Sequence, residues 1–206
     1  MTGYQDFVKR FRTGTFVSSK NISAKYDFVK ALASLYIFPC FFKGIYYIPT
    51  MRERNGHFVE KPSDFFRNLF DFAYGRNQWY WSLSSAARYY GTEWSSTKII
   101  ELVTPLESKI VNISSRIDSL EKRRSYRSRV LSRIFSSLEI NMVIIHKGKK
   151  DFLKCVKIDG EIGPVATRER FMEDVSFFLS KTRIISLRRL YKKYLAGMLS
   201  EVRESK

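Results

Sequence analysis

The chain has 206 residues, 44% of them hydrophobic and 16% aromatic, which is enough to bury a sizeable core in one large domain or two small ones. Its net charge is +17, from 37 Lys and Arg against 20 Asp and Glu. That excess indicates a polyanionic partner, nucleic acid first and an anionic membrane surface second, although a merely basic soluble protein is the plain alternative. No apolar run approaches the roughly 20 residues of a membrane span, and the N-terminal segment has no apolar signal-peptide core. We therefore expect a cytoplasmic protein without a membrane partner.

The first fifty residues carry the most specific pattern. The segments Tyr4 to Phe11 and Phe16 to Ile22 are expected to form two short helices, the second of which presents Lys20 and Asn21 outward. A third helix follows from residue 24, with an expected apolar face that comprises Phe28, Val29, Leu32, Leu35 and Tyr36. The aromatic run Ile37–Phe42 contains Pro39, which favours a short edge strand, and Lys43-Gly44 predicts the turn into a return strand, Ile45–Ile48.

Helices followed by a two-stranded ribbon are typical of a winged helix-turn-helix, which in a strongly basic chain predicts a DNA-binding domain. We expect double-stranded DNA to contact the polar side of the third helix, the segment before it and the turn of the ribbon. The candidate contacts are Lys20, Asn21, Lys25, Asp27, Lys30, Ser34 and Lys43. The predicted fold class is α+β, with a winged helix-turn-helix domain at 1–50, a polar linker at 51–61 and a C-terminal mixed α and β domain at 62–206.

Leu106 to Leu138 is a second notable segment. Its apolar residues keep one heptad register, in which Arg124 and Arg127 take the two middle positions; the apolar members are Leu106, Ile110, Ile113, Ile117, Leu120, Leu131, Ile134 and Leu138. We expect one long basic helix, or two helices broken near Arg123–Ser125. Arg123, Arg124 and Arg127 are candidate nucleic-acid contacts, and a solvated basic face is an equally open interpretation.

Patterns that would support catalysis or metal binding are missing from the sequence. The two histidines, His57 and His146, have no cysteine nearby, and no glycine-rich phosphate loop or paired Asp-x-Asp motif occurs. Cys40 and Cys155 lie in apolar runs and are expected to be reduced core residues. We therefore expect no enzyme, metal or cofactor, although an RNA-processing site without a recognisable motif stays open.

Several ordered motifs resemble the AbiEi-type antitoxin regulators. Lys43-Gly44-Ile45-Tyr46-Tyr47-Ile48-Pro49 is similar to the wing of that family, Tyr80 to Gly91 to its Y-x-x-L-x-S-A-L-x-x-Y-G-L motif, and Ile99 to Pro105 to the strand that follows. Gly163 to Asp174 resembles a late helix start, although Arg168-Glu169 replace its Pro-Glu. The resemblance implies an autoregulatory winged helix and a C-terminal domain that counteracts a nucleotidyltransferase-like toxin of a type IV system.

An RNA-binding protein is the alternative that the residues support. Aromatic side chains alternate with basic ones at Tyr46-Tyr47, Trp79-Tyr80-Trp81 and Arg88-Tyr89-Tyr90. Such aromatic side chains stack on unpaired bases in proteins that bind single strands. Burial of the same side chains in a core is the commoner outcome, so the choice depends on their exposure.

Overall fold

The computed structural model describes residues 9–22, 25–92 and 98–204, leaving out the side chains of 25–27 and 198–204. The fold is mixed α and β. Its elements, in chain order, are β1 (Thr15–Ser18), a 3₁₀ turn (Ser19–Asn21), α1 (Lys25–Ala33), β2 (Phe38–Pro39), β3 (Ile45–Ile48), α2 (Met51–Gly56), α3 (Pro62–Tyr74), β4 (Tyr80–Trp81), α4 (Leu83–Tyr89), β5 (Ile99–Thr104), β6 (Lys109–Asn112), α5 (Ile113–Glu121), α6 (Tyr126–Ser136), β7 (Met142–Lys147), a second 3₁₀ turn (Lys150–Lys154), β8 (Val156–Asp159), β9 (Gly163–Ala166), α7 (Arg168–Lys181) and α8 (Ile185–Glu204).

The chain divides into two compact units, each built from separate stretches. Unit 1 comprises Met1–Gly75 and Val111–Asn141, and unit 2 comprises Arg76–Ile110 and Met142–Lys206. This division differs from the predicted boundaries. The predicted linker at 51–61 contains α2, whose Glu53 is buried, and the aromatic ring of Phe41 packs 5.2 Å from that of Phe135 on α6. Those contacts make both segments part of unit 1.

Unit 1 contains a three-stranded antiparallel sheet of order β1-β3-β2. Phe16 lies opposite Tyr47, and Phe38 lies opposite the same tyrosine on the other side. The predicted helix over Phe16–Ile22 is therefore wrong. Phe16 and Val17 are good strand formers that bury their side chains in the sheet, which leaves only Ser19–Asn21 for a short 3₁₀ turn.

Helix α1 covers a small core whose buried members are Val17, Ile22, Ala31, Ile37 and Ile48. Phe28 and Leu32 pack against this core as predicted. Val29 was predicted to face inward, but its side chain is 55% exposed, whereas Ala31 is 2% exposed. The buried side of α1 thus includes Ala31 and excludes Val29. The predicted first helix begins outside the described residues.

The segment Leu106 to Leu138 forms two helices and not one, with the break at Lys122–Ser125, as the second of the two sequence interpretations expected. The long basic helix is therefore absent from this described part of the chain. The N-terminal part of the heptad register is not helical: Leu106 and Ile110 are more than half exposed, and Lys109–Asn112 is strand β6. Asn112 and Ser125 cap the two helices through their side-chain oxygens.

Unit 2 is organised on a mixed sheet of order β6-β7-β5-β4-β9-β8, in which β6 spans the division between the units. Strand β7 runs parallel to β5, and β8 runs antiparallel to β9, so the two apolar segments within residues 140–158 do not pair with each other as a hairpin. Cys155 follows the second 3₁₀ turn and is exposed, contrary to its predicted burial, whereas Cys40 is buried. Burial raises the pKa of the Cys40 thiol to about 12. Among the described residues, no helix is long and apolar enough to cross a membrane.

Candidate nucleic-acid interface

The structure brings three of the predicted contacts together at one end of the unit 1 sheet. Strand β1 ends at Ser18, opposite Ile45 at the start of β3. The amide of Ser19 donates to the carbonyl of Gly44 over 3.0 Å, so the 3₁₀ turn lies beside the β2–β3 turn. Lys20, Asn21 and Lys43 are all exposed there. We call these three residues the sheet-end surface.

The backbone around the sheet-end surface is fixed by local hydrogen bonds. The hydroxyl of Ser18 accepts from the Lys20 amide over 3.3 Å. Gly44 has a φ of +79°, which favours glycine, and a Cβ placed there would lie 3.6 Å from the hydroxyl oxygen of Ser19. Phe42, beside Lys43, is buried against Phe70 and Tyr74. The turn therefore holds its lysine on a rigid base.

Lys30 and Ser34 are the other predicted contacts of this region whose side chains the structure describes. Lys30 is half-buried, and Ser34 follows the end of the helix. Ser34 lines a separate cavity of about 500 Å³ with Asn55, His57 and Tyr126, and its carbonyl accepts from Arg54 over 3.4 Å. The side chains of Lys25 and Asp27 lie outside the described residues.

Of the three predicted arginines, Arg123 and Arg124 lie in the connection between α5 and α6, and Arg127 lies on α6. Arg123 and Arg127 line a cavity of about 420 Å³ in unit 1 that also includes Arg116. Arg124 is exposed in the connection between the helices. We call the space lined by Arg116, Arg123 and Arg127 the arginine cavity. Arg116 was not among the predicted contacts, because the heptad pattern gives no signal that it lies near the other two.

The aromatic side chains that were candidates for stacking on bases differ in how deeply they are buried. Trp79, Tyr80 and Trp81 of unit 2 are buried, as is Tyr47 of unit 1, so their rings are part of the cores and cannot stack on bases in the folded protein. Tyr89 and Tyr90 are half-buried. Tyr89 donates a hydrogen bond to Asp159 over 3.1 Å, and Tyr90 donates to the Ala166 carbonyl over 2.7 Å. These contacts hold both rings against unit 2.

A buried polar network in unit 2 was not foreseen. The carboxylate of Glu101 on β5 is fully buried and accepts hydrogen bonds from the hydroxyls of Ser84 and Tyr191. Nε2 of His146 lies 2.9 Å from the same carboxylate. Burial raises the pKa of Glu101, but the hydrogen bonds and the charge of His146 outweigh this effect and lower it below its usual value. The signal in the sequence was a single carboxylate in the apolar run Ile99–Thr104.

A second buried carboxylate, Asp174, lies on α7. It accepts from the hydroxyls of Tyr80 over 3.0 Å and Ser82 over 2.6 Å, and its ion pair with Arg170 spans 2.7 Å. Burial raises the pKa of Asp174 above its usual value. Both networks satisfy polar groups inside a core.

The Ser84 hydroxyl bonds to Glu101 and not to His146, so the imidazole is not placed to take its proton. Within the described ranges, no group of three or more His, Cys, Asp or Glu residues could hold a metal ion.

No protein-family model matches the chain, and comparisons with curated proteins and with solved structures found no significant match.

Proposed function

We propose that this protein is a DNA-binding transcriptional regulator and that the sheet-end surface of unit 1 contacts duplex DNA. The observation that carries the proposal is that Lys43 lies beside the consecutive residues Lys20 and Asn21 at one end of a small sheet, although it is distant from them in sequence. Lysine side chains on a rigid base bind phosphates as point charges, and an asparagine amide can pair with an adenine edge. In this arrangement Lys20 and Lys43 position the duplex and Asn21 reads a base.

The winged helix-turn-helix interpretation is part of the same proposal. Its support is the order of the elements: β1 and a short turn precede α1, and α1 is followed by the antiparallel pair β2 and β3. The exposed side of α1 includes Val29 and Ala33. Apolar side chains of this kind can contact thymine methyl groups in the major groove, so α1 would add base contacts to those of Asn21.

The test is a duplex-DNA titration of a double variant, Lys20→Ala with Lys43→Ala. Each lost phosphate contact removes about 0.9 from the slope of log K against log salt concentration. We therefore expect weaker binding and a slope lower in magnitude by about 1.8, measured by fluorescence anisotropy at several salt concentrations. The matched control is Lys149→Ala with Lys150→Ala, which removes the same charge from two exposed lysines of unit 2.

An equal loss in both double variants would show that binding follows net charge alone, and the assignment to the sheet-end surface would fail. Tighter binding of single-stranded RNA than of duplex DNA in direct competition would favour the RNA-binding alternative. The burial of Trp79, Tyr80 and Trp81 counts against that alternative, because those rings were its main stacking candidates.

A second part of the proposal concerns unit 2, which we infer binds a nucleotidyltransferase-like toxin. Its support is the resemblance of Tyr80–Gly91 and Ile99–Pro105 to the antitoxin motifs. Co-purification with the product of an adjacent gene of that class would support this part. If such a product is present and the two proteins fail to associate, the toxin-binding part is wrong and the DNA-binding part is unaffected.

A further inference from the structure

The arginine cavity has the size of a small-molecule site. Its volume of about 420 Å³ falls in the range of roughly 300–1,000 Å³ that is usual for ligand pockets. Arg116 comes from α5, Arg127 from the first turn of α6, and Arg123 from the connection between the two helices. A space of this size admits a single nucleotide but excludes a base-paired duplex. It is therefore a different kind of site from the sheet-end surface.

Three like charges meet in this cavity without a carboxylate on its wall. Arg116 is held in place: its Nη1 donates to the Cys40 carbonyl over 3.2 Å, and its guanidinium lies 5.7 Å from the centre of the Phe135 ring. In the described structure, the guanidinium groups of Arg123 and Arg127 form no hydrogen bond or ion pair. Such a concentration of positive charge attracts an anion, and guanidinium groups bind phosphate oxygens in pairs.

Part of the cavity wall is apolar. Leu120, Leu131 and Phe135 line it, and the last two are buried, so they form a fixed floor. A free phosphate would leave this apolar surface unused. A nucleobase presents two flat faces that pack on aliphatic surfaces and stack against guanidinium planes. The cavity thus combines sites for both parts of one nucleotide.

We propose that the arginine cavity binds one nucleoside phosphate, with the phosphate held by Arg123 and Arg127 and the base against Leu120 and the apolar floor. The ligand has two possible sources: a free nucleotide that acts as an effector, or an unpaired nucleotide of a nucleic-acid strand. The proposal deepens the proposed function by adding a nucleotide site to unit 1. The two can fail separately, because a nucleotide titration requires no duplex.

The experiment titrates the full chain with AMP, ATP and a 5′-phosphorylated six-nucleotide single strand, using isothermal titration calorimetry. We expect saturable binding to the native chain and an affinity loss of at least about tenfold for each arginine removed in Arg123→Ala with Arg127→Ala, since hydrogen bonds to charged groups are worth about one order of magnitude each. Ser119→Trp places a large ring in the cavity from an exposed position and should abolish binding. Circular dichroism checks that each variant is folded.

The matched control is Arg129→Ala with Arg133→Ala, which removes two exposed arginines of α6 that do not line the cavity. Binding should persist in this control. Equal losses in the two double variants would overturn the proposal in favour of diffuse charge attraction. Inorganic phosphate that competes as well as AMP would overturn it as well, because the apolar floor would then contribute nothing. Tighter binding of AMP or ATP assigns an effector, and tighter binding of the oligonucleotide assigns a strand nucleotide; both results support the site.

Discussion

The amide and hydroxyl of Ser84, the hydroxyl of Tyr191 and the imidazole of His146 surround the carboxylate of Glu101. The Tyr194 hydroxyl extends the network by donating to Ser84 over 3.2 Å. A buried carboxylate is tolerated only when such donors replace its lost water. The network therefore joins strands β5 and β7 to helices α4 and α8 within unit 2, and its strength depends on the charge of Glu101.

The direction of the Glu101 pKa shift determines how the stabilisation that its charge provides changes with pH. The pKa of Glu101 in the folded state lies below its ordinary value of 4.5. Its stabilisation is therefore fully present above the unfolded-state pKa and is lost as the pH falls through the folded-state pKa. At neutral pH the Glu101 carboxylate should therefore contribute its full stabilisation to the folded state.

Glu101→Gln should lower the free energy of unfolding at pH 7 by on the order of 3 kcal/mol, because the neutral amide cannot accept from all the surrounding donors. The difference in free energy of unfolding between the native chain and the variant should become smaller below about pH 4.5. Urea titrations followed by tryptophan fluorescence measure this change, since Trp79 and Trp81 are buried in the same unit.

Glu161→Gln is the control for that substitution, because it makes the same chemical change on an exposed side chain and should shift stability by less than about 0.5 kcal/mol. If the difference in free energy of unfolding between the native chain and Glu101→Gln stays constant from pH 7 to pH 3, the role assigned to the Glu101 charge is wrong.

Helix α2 is the element that the sequence analysis read as a linker. Its six residues include three charged ones and an Asn-Gly pair, so the sequence shows no apolar residues at helical spacing here. The helix forms because Thr50 and Glu53 make a capping box, and because the buried Glu53 carboxylate also accepts from the Tyr47 hydroxyl over 2.9 Å and the Glu60 amide over 3.0 Å. The helix thus depends on its N-terminal cap and on the contacts of one buried carboxylate with residues nearby in the sequence, and not on an apolar face.

Thr50→Ala should cost about 1 kcal/mol of the free energy of unfolding, since the Glu53 amide loses its capping acceptor. Thr50→Ser keeps the hydroxyl and should stay within about 0.5 kcal/mol of the native chain. Far-ultraviolet circular dichroism during urea unfolding measures both values. Equal values for the two variants would mean that the cap does not stabilise unit 1.

The local signals in the sequence were sufficient where helices have strong boundaries. Helix α3 begins at Pro62 and ends before Gly75, and α7 begins after the Thr167 cap, so proline, glycine and threonine mark these boundaries in the sequence itself. Local signals did not predict the strands whose pairing partners lie far away in the sequence. Phe16 and Val17 form a strand because β3 lies beside them, and β7 joins β5 and not β8, which no local pattern specifies.

The candidate site could be predicted only in part for the same reason. Lys20, Asn21 and Lys43 were identified from the sequence, but their proximity depends on the pairing of β1 with β3. The convergence of Arg116 with Arg123 and Arg127 depends on the break between α5 and α6. A helical register drawn through that break could not place the three side chains around one cavity.

At the scale of the whole molecule, the positive charge does not by itself indicate which unit would make the proposed contacts with DNA. Unit 1 has 18 Lys and Arg against 9 Asp and Glu, and unit 2 has 19 against 11. Unit 2 also presents a basic surface on α8, where Arg188, Arg189, Lys192 and Lys193 are exposed. Nonspecific attraction would act on both units. We propose that the specific contacts lie in unit 1.

Hydrogen–deuterium exchange of the full chain with and without saturating duplex DNA tests that claim most directly, because it locates the bound surface without a substitution. Slower exchange on DNA binding is expected at residues 18–22 and 42–45, which contain the sheet-end surface. Slower exchange confined to residues 185–193 on α8, with no change at the sheet-end surface, would contradict the account.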